Sequence, residues 1–498
     1  MNTVVDIRNV THRYKGAGQD TLNNVSLSVC KGETVLLCGA SGSGKTSIIR
    51  LINGLIPHYY QGEMTGEVLV EGIKIAETEL YELAGVVGTV FQNPRSQFFS
   101  IDTDGEIVFG PENVGLAPEE ILKRKGKIVR QMQLEELLGR SLFELSGGEK
   151  QRIACASVAA LMPGIILLDE PSSNLDFASI ERLGQIIREW KEQGKTIIIS
   201  EHRLWYLRDL VDRVIYMENG RIENEWTGDE FRRLNDSDTT CRKLRPAMLK
   251  EEFREMFRFD PSCAVSADVT DGVVLRDFFF SYQKKPYVIF KKKFSEADGD
   301  LLSLCIPQLI LPKGKVIAVI GSNGTGKSTF LRCLCGLEKD CTGRVTIDGK
   351  EYKGSKLIGL SYMVMQDVNH QLFTDSVEAE VLLSMKDADE EKCHKILDDL
   401  GLLQYKDAHP MALSGGQKQR VAISSAIAAG AELLLFDEPT SGLDYSHMEK
   451  VGNLLRDLAR AGKTVLVSTH DPELIEQCCD YELCIRNGRV AFLEERKA

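Results

Sequence analysis

Short hydrophobic runs punctuate the chain, and most of them come in pairs. TVLLCG from Thr34 and KVIAVIG from Lys315 are β-branched-rich runs that end in glycine. Each opens into sequence of helical character, SIIRLINGL from Ser47 and FLRCLCGL from Phe330. IILLDE from Ile165 and LLLFDE from Leu433 are continuous apolar runs ending in two acids, and TIIIS from Thr196 and TVLVS from Thr464 add one further run to each half. Runs of this kind predict strands buried on both faces, and strands alternating with helices predict an α/β core with a mainly parallel sheet. Ligands of such sheets bind at the carboxyl ends of the strands. VVDIRNVTHRY from Val4 and VVLRDFFFSY from Val273 instead alternate, which predicts strands of an antiparallel part.

The pairing is a tandem duplication. Tyr14 and Tyr282, Ser146 and Ser414, Asp169 and Asp437, and His202 and His470 are all 268 positions apart. Between them the offset drifts, to 282 for Lys45 and Lys327 and to 274 for Gln92 and Gln366. The second half therefore gains residues before its glycine loop, around KKKFSEADGDLL from Lys291, where Asp-Gly-Asp predicts a turn, and loses as many afterwards. The predicted organisation is a first domain over 1–234, a polar and charged connector over 235–271, part helix and part linker, and a second domain over 272–498.

Bulk properties fit this picture. A chain of 498 residues is too long for one core, and 43% hydrophobic with 27% charged residues is ordinary globular composition. The net charge of −12 argues against nucleic acid as the main partner. No apolar stretch approaches a membrane span, since the best candidate, LLSLCIPQLILP from Leu301, is short and broken by proline. MNTVVDIRNV has neither the basic flank nor the apolar core of a secretory signal. A cytoplasmic protein is expected, peripheral if it serves a membrane. The 13 cysteines form no C-x-x-C pair and read as reduced thiols, not as a zinc or iron–sulfur site.

The chemistry lies in repeated motifs. Gly39, Ser41, Gly42 and Gly44 lead into Lys45, Thr46 and Ser47, and Gly321, Asn323, Gly324 and Gly326 lead into Lys327, Ser328 and Thr329. Both stretches match the P-loop pattern in strand–loop–helix context. The glycines let successive N–H groups face phosphate oxygens, and the following helix adds its positive end. Lys45 and Lys327 should reach the β- and γ-phosphates, and Thr46 and Ser328 should ligate Mg²⁺. Asp169 and Asp437 end apolar strands, where an aspartate holds Mg²⁺ through water. The next residues, Glu170 and Glu438, can polarise an attacking water as general base. LSGGEKQR from Leu145 and LSGGQKQR from Leu413 place Ser146, Gly147, Gly148 and Ser414, Gly415, Gly416 before helical sequence. Such a helix start exposes N–H groups to an anion. A second anion site in each half makes sense only if it serves the nucleotide of the other half.

P-loop, LSGGQ-type signature, Asp-Glu strand end, SNLD from Ser173 or SGLD from Ser441, and a late histidine together resemble the ABC-type ATPases, over nearly all of both halves. The resemblance implies two tandem P-loop domains, each with a mainly parallel sheet, an antiparallel β part and a helical subdomain. It implies ATP and Mg²⁺ as cofactors. It also implies an intramolecular, head-to-tail pseudo-dimer, with Lys45 facing Ser414 and Lys327 facing Ser146 across each ATP. Gln92 and Gln366 are similar to the glutamines that sense Mg²⁺ and signal to a partner. Tyr14 and Tyr282 resemble the aromatic that stacks on adenine, and His202 and His470 the histidines that contact the γ-phosphate. Neither half shows a degraded position, so hydrolysis is expected at both.

FQNPRSQFF from Phe91, followed by DGEIVFGPENVGL, and MQDVNHQLF from Met365, followed by DSVEAEVLL, narrow the resemblance. Both keep a second glutamine, Gln97 and Gln371. The pattern resembles the ATPases of energy-coupling factor (ECF) transporters, which import vitamins and transition-metal ions, here fused as in members linked to thiamine-precursor uptake. That resemblance implies a membrane T-type subunit whose coupling helices dock beside the glutamines, and a separate substrate-binding S-type subunit. IVFG and EVLL set apolar beside acidic residues, suited to an amphipathic helix. The alternatives are a soluble ABC-type ATPase acting on ribosomes, for which the connector is short and mixed in charge, and the ATPase subunit of a conventional ABC transporter. A DNA-repair or chromosome-structuring ATPase would carry a zinc module or long coiled coil between the motifs.

Overall fold

A computed structural model describes residues 2–173, 175–253, 272–282 and 303–496. The gained segment around Lys291 and Asn174 of SNLD lie outside the described residues. The chain divides into two compact units, Met1–Glu251 with Gly442–Ser446, and Glu252–Ser441 with His447–Ala498. Of the connector, residues through Glu251 group with the first unit, where Leu244 and Ala247 are buried in its core.

In the first unit the antiparallel sheet has the order β2-β1-β4-β5, from β1 (Thr3–Tyr14), β2 (Leu22–Cys30), β4 (Gly62–Val70) and β5 (Ile73–Lys74). The central sheet has the order β10-β9-β3-β8-β7-β6, built from β3 (Thr34–Gly39), β6 (Val87–Val90), β7 (Ile165–Asp169), β8 (Thr196–Ser200), β9 (Arg213–Glu218) and β10 (Arg221–Thr227). Only β10 runs antiparallel to its neighbour there. The continuous apolar runs have a direct structural cause. Val35 and Leu37 of β3 join the core under the antiparallel sheet, while Leu36 and Cys38 join the core under the helices. Both faces of the strand are dry, so no polar alternation survives in the sequence.

The second unit repeats this plan. Its antiparallel sheet is β12-β11-β14-β15, from β11 (Gly272–Ser281), β12 (Ser303–Pro312), β14 (Thr342–Ile347) and β15 (Lys350–Tyr352). Its central sheet is β16-β17-β18-β13-β19-β20, from β13 (Val316–Ile320), β16 (Ser361–Val364), β17 (Leu433–Asp437), β18 (Thr464–Ser468), β19 (Tyr481–Arg486) and β20 (Arg489–Glu495). The strand order matches the first unit position for position. A helical part lies between β6 and β7, with helices Thr103–Asn113, Pro118–Gln131 and Gly147–Ala160, and between β16 and β17, with Val377–Leu383, Glu390–Asp399 and Gly415–Ala429. The α/β expectation, with its antiparallel part and helical subdomain, holds in both units. Every cysteine among the described residues is a free thiol, and no described helix is long and apolar enough to cross a membrane.

Candidate functional site

Each P-loop turns from the end of a central strand into a helix, Lys45–Ile52 in the first unit and Lys327–Leu334 in the second. Gly39 has φ 144° and Gly321 φ 143°. A Cβ at Gly39 would stand 2.2 Å from the Met217 carbonyl oxygen, and one at Gly321 2.3 Å from that of Ile485. The loop is therefore pressed against β9 or β19, and only glycine fits. Gly44 and Gly326, both at φ 104°, are the N-caps of the two helices. Lys45 Nζ donates to the carbonyls of Gly39 and Ala40, each at 2.9 Å, and Lys327 Nζ to those of Gly321 at 2.6 Å and Ser322 at 2.9 Å. Both ammonium groups thus lie over their own loop, where phosphate oxygens would replace the carbonyls as acceptors. Burial lowers the Lys45 pKa, opposed by Glu170.

The acids stand beside these loops because β7 and β17 run parallel to their neighbours in a fixed register, Asp169 opposite Ser200 and Asp437 opposite Ser468. Thr46 Oγ1 donates to Asp169 Oδ1 at 3.0 Å. Burial, then the Glu170 charge, push the Asp169 carboxyl up to about 6, and burial raises Asp437 as well, against hydrogen bonds from Ser328 and Ser468. Both aspartates are thus carboxylates short of positive charge, next to a P-loop hydroxyl, which is a donor set suited to a hard divalent cation.

Glu170 and Glu438 leave their strands in the left-handed region, at φ 45° and 51°. This conformation costs a non-glycine residue on the order of 1 kcal/mol or more. It is held by their N–H groups, which donate to the carbonyls of Ser200 at 2.8 Å and Ser468 at 2.9 Å. The turn aims each carboxylate at a histidine: His202 Nε2 lies 3.3 Å from Glu170 Oε1, and His470 Nε2 3.6 Å from Glu438 Oε1. Gln92 Nε2 donates to Glu170 Oε2 at 2.7 Å. Burial would raise the Glu170 pKa, but His202 and then Lys45 hold it below the ordinary value. Glu170 is an ionised carboxylate able to accept a proton. In the first unit Lys45, Thr46, Gln92, Asp169, Glu170 and His202 form one connected cluster. In the second, Lys327, Ser328, Asp437, Glu438 and His470 repeat it, with Gln366 exposed just after β16.

Ser146 and Ser414 are N-caps of Gly147–Ala160 and Gly415–Ala429. Each closes a capping box, with Glu149 in one unit and Gln417 in the other, so the one differing signature residue does the same work in both. The box engages two N–H groups, those of Ser146 and Glu149 in one unit and of Ser414 and Gln417 in the other, while Ser146, Gly147, Ser414 and Gly415 are exposed. Among the described residues Ser146 makes no hydrogen bond to the P-loop of its own unit. Tyr14 Oη lies 3.0 Å from Ser47 Oγ, and Tyr282 Oη 3.3 Å from Thr329 Oγ1. Both tyrosines therefore sit at the side of the P-loop helix.

The sequence profile of the ABC transporter family matches residues 22–173 and 306–441, more than half of the chain. The chain belongs to the ABC transporter family. Two proteins of Treponema denticola, provisionally named ABC transporter ATP-binding proteins, are 44% and 36% identical to it, each over 98% of this chain and 96% of its own length. Among solved structures, a chain from archaeal ribosome-bound Pelota and ABCE1 superposes with a TM-score of 0.66 at 22% identity, covering 98% of this chain and 78% of that one. That likeness concerns the tandem fold alone. ATP binding and ATPase activity follow from the family.

Two features of this ABC ATPase are not singled out by motif, Ser200 with Ser468 and Glu106 with Glu380, and a third, Gln97 with Gln371, is marked by the sequence but not in its structural role. Ser200 and Ser468 hydrogen-bond the aspartates, and their recurrence at the common offset is the signal that could have marked them. Gln97 and Gln371 are loop pins: Gln97 Oε1 accepts from the N–H of Phe91 at 3.2 Å, and Gln371 Oε1 from that of Met365 at 2.9 Å. Buried Glu106 and Glu380 clamp the far end of the same loops. Glu106 accepts from the N–H groups of Phe99 and Ser100, both at 2.9 Å, and Glu380 from those of Phe373 and Thr374, both at 3.0 Å.

The P-loop contacts yield a direct prediction. Gly39→Ala should destabilise the protein by about 2–3 kcal/mol, a fall of roughly 5–10 °C in the melting temperature of its domain. Differential scanning calorimetry checks this, and an unchanged melting temperature would show that the loop can move away from β9.

Proposed function

We propose that the chain is the ATP-hydrolysing, energy-coupling subunit of an ECF-type importer that takes up a vitamin, vitamin precursor or transition-metal ion. The observation that carries this reading is the pair of clamped loops after Gln92 and Gln366. Phe99 and Ile101 in one and Phe373 in the other are 74%, 72% and 74% exposed, and Leu383 on the helix that follows is 60% exposed. Large apolar side chains held in water at equivalent positions of two units suit a protein partner. The partner of matching chemistry is a membrane T-type subunit with two amphipathic coupling helices, accompanied by an S-type subunit that binds the cargo. The protein then works peripherally on the cytoplasmic face of the membrane, without nucleic acid.

In this reading the two ATP sites are composite, Lys45 with Ser414 and Lys327 with Ser146. Mg²⁺ would be held by Thr46, Asp169 and Gln92 in one site and by Ser328, Asp437 and Gln366 in the other, and when bound it neutralises phosphate charge. The chain's own steps follow from the geometry. The P-loop and its lysine orient the triphosphate. Glu170 or Glu438 accepts the proton of the attacking water, and His202 or His470 holds that carboxylate in place. Gln92, bonded to the base and standing at the root of the clamped loop, links the state of the site to the docking surface.

The test is co-purification from native membranes in mild detergent, with bound proteins identified by mass spectrometry. Two integral membrane proteins are expected in stoichiometric amounts. Phe99→Glu combined with Phe373→Glu should release them at an unchanged melting temperature. Recovery of ribosomes in their place would overturn the reading in favour of a soluble, ribosome-acting ATPase, and membrane domains retained by the double variant would favour a conventional transporter.

A further inference from the structure

The base side of the two nucleotide sites is built differently. In the second unit Tyr282 is 55% exposed. Its ring meets Phe280 edge-on at 4.7 Å, and Arg332 of the P-loop helix is turned away into an ion pair with Glu338 at 2.7 Å. In the first unit Tyr14 is half-buried and meets His12 edge-on at 4.6 Å. Arg50, the counterpart of Arg332, here donates to Tyr14 Oη at 3.0 Å. A guanidinium only donates, so the phenol oxygen accepts from Arg50, and the same hydroxyl shares a second hydrogen bond with Ser47. The same guanidinium lies 4.1 Å from the centre of the Tyr60 ring and 5.9 Å from that of Tyr14. The Tyr60 ring meets Tyr14 edge-on at 6.0 Å and Tyr59 at 5.0 Å. Tyr59 and Tyr60 belong to GLIPHYYQG, the connection from the P-loop helix to β4. The corresponding connection in the second unit, GLEKDC, is shorter and has no aromatic residue.

We propose that Arg50 and Tyr60 are positioning residues that fix Tyr14 as a rigid platform for the purine base, so that the first site holds nucleotide more tightly than the second. The inference rests on the reading of both P-loops as nucleotide sites with a tyrosine against the base. A platform already immobilised by a hydrogen bond on each side of its hydroxyl and by a cation against its neighbouring ring loses little freedom when the base stacks on it. Among the described residues Tyr282 has one long hydroxyl contact and an exposed ring, so the nucleotide itself must order it. The expected difference in affinity is about tenfold.

Isothermal titration calorimetry on the full chain tests this, with ADP and with pyrophosphate as probes and a chelator present, so that no cation enters the comparison. Lys327→Ala isolates the first site and Lys45→Ala the second. ADP should bind the first site about tenfold more tightly. In the Lys327→Ala background, Arg50→Met and separately Tyr60→Leu should each weaken ADP by about tenfold and leave pyrophosphate within about twofold. Arg332→Met in the Lys45→Ala background should leave ADP within about twofold. Equal loss of ADP and pyrophosphate would overturn the inference, because it would mean that Arg50 shapes the phosphate loop and not the base platform. Unchanged ADP affinity in both Arg50→Met and Tyr60→Leu would overturn it as well. Failure of the underlying reading looks different: two binding events would persist in Lys45→Ala or Lys327→Ala.

Discussion

Glu170→Gln combined with Glu438→Gln should lower ATP turnover by at least about 100-fold, and either substitution alone should remove at least about half of it. The geometry isolates one property. Glutamine has the shape of glutamate, so the left-handed turn and the N–H bonds to the Ser200 and Ser468 carbonyls survive. What disappears is a carboxylate able to take a proton from water. In the first unit that carboxylate is held ionised by His202 and Lys45 in spite of its burial, so protonation of the base should not limit the rate anywhere near neutral pH. Two intact clusters imply two working sites. Phosphate release by purified protein is the measurement, and full activity in either single variant would show that its site does not hydrolyse.

The framework that positions these groups is legible in the sequence for a physical reason. Strands such as Ile165–Asp169 and Thr464–Ser468 are buried on both faces, so nothing polar interrupts them until the acid or serine at the ligand end. Duplication then doubles every signal: a glycine loop read once could be chance, but the same loop 282 positions on, at the same strand end, could not. What escapes sequence reading is chemistry that depends on where a loop returns. Gln97 is marked by its recurrence as Gln371, but its partner is not, and Glu106 is an ordinary polar residue in a string. Only the fold brings one back to the N–H of Phe91 and the other to those of Phe99 and Ser100. The difference between Arg50 and Arg332 is hidden for the same reason. Both are arginines at equivalent positions, and their partners, Tyr60 and Glu338, lie on connections of unequal length whose path no periodicity reveals.

Asp169→Asn should inactivate the first site and, at the same time, stabilise the nucleotide-free protein. Burial and the neighbouring Glu170 raise the Asp169 carboxyl from 3.8 to about 6. The folded state therefore binds this proton more tightly than the unfolded chain. The stability that it contributes is full below about pH 4 and is lost as the pH rises through about 6. At pH 7.5 the ionised carboxylate costs the fold roughly 3 kcal/mol relative to its protonated form. Asparagine removes the charge but also weakens the bond from Thr46, worth about 1 kcal/mol, so the net gain should be about 1–2 kcal/mol, or roughly 2–8 °C. In the presence of a chelator the gain should be largest at pH 7.5 and shrink toward zero at pH 5, where the wild-type aspartate is itself neutral. Asp437→Asn should act in the same direction, since burial raises that carboxyl too. Thermal unfolding at the two pH values, beside ATP turnover, checks both halves of the claim. A lower melting temperature for Asp169→Asn at pH 7.5 would show that the carboxylate is compensated within the folded chain. A higher one would show that stability is given up to keep a buried negative charge at the end of β7, which the hydrogen bonds from Thr46 and Ser200 and the Arg50 charge offset only in part.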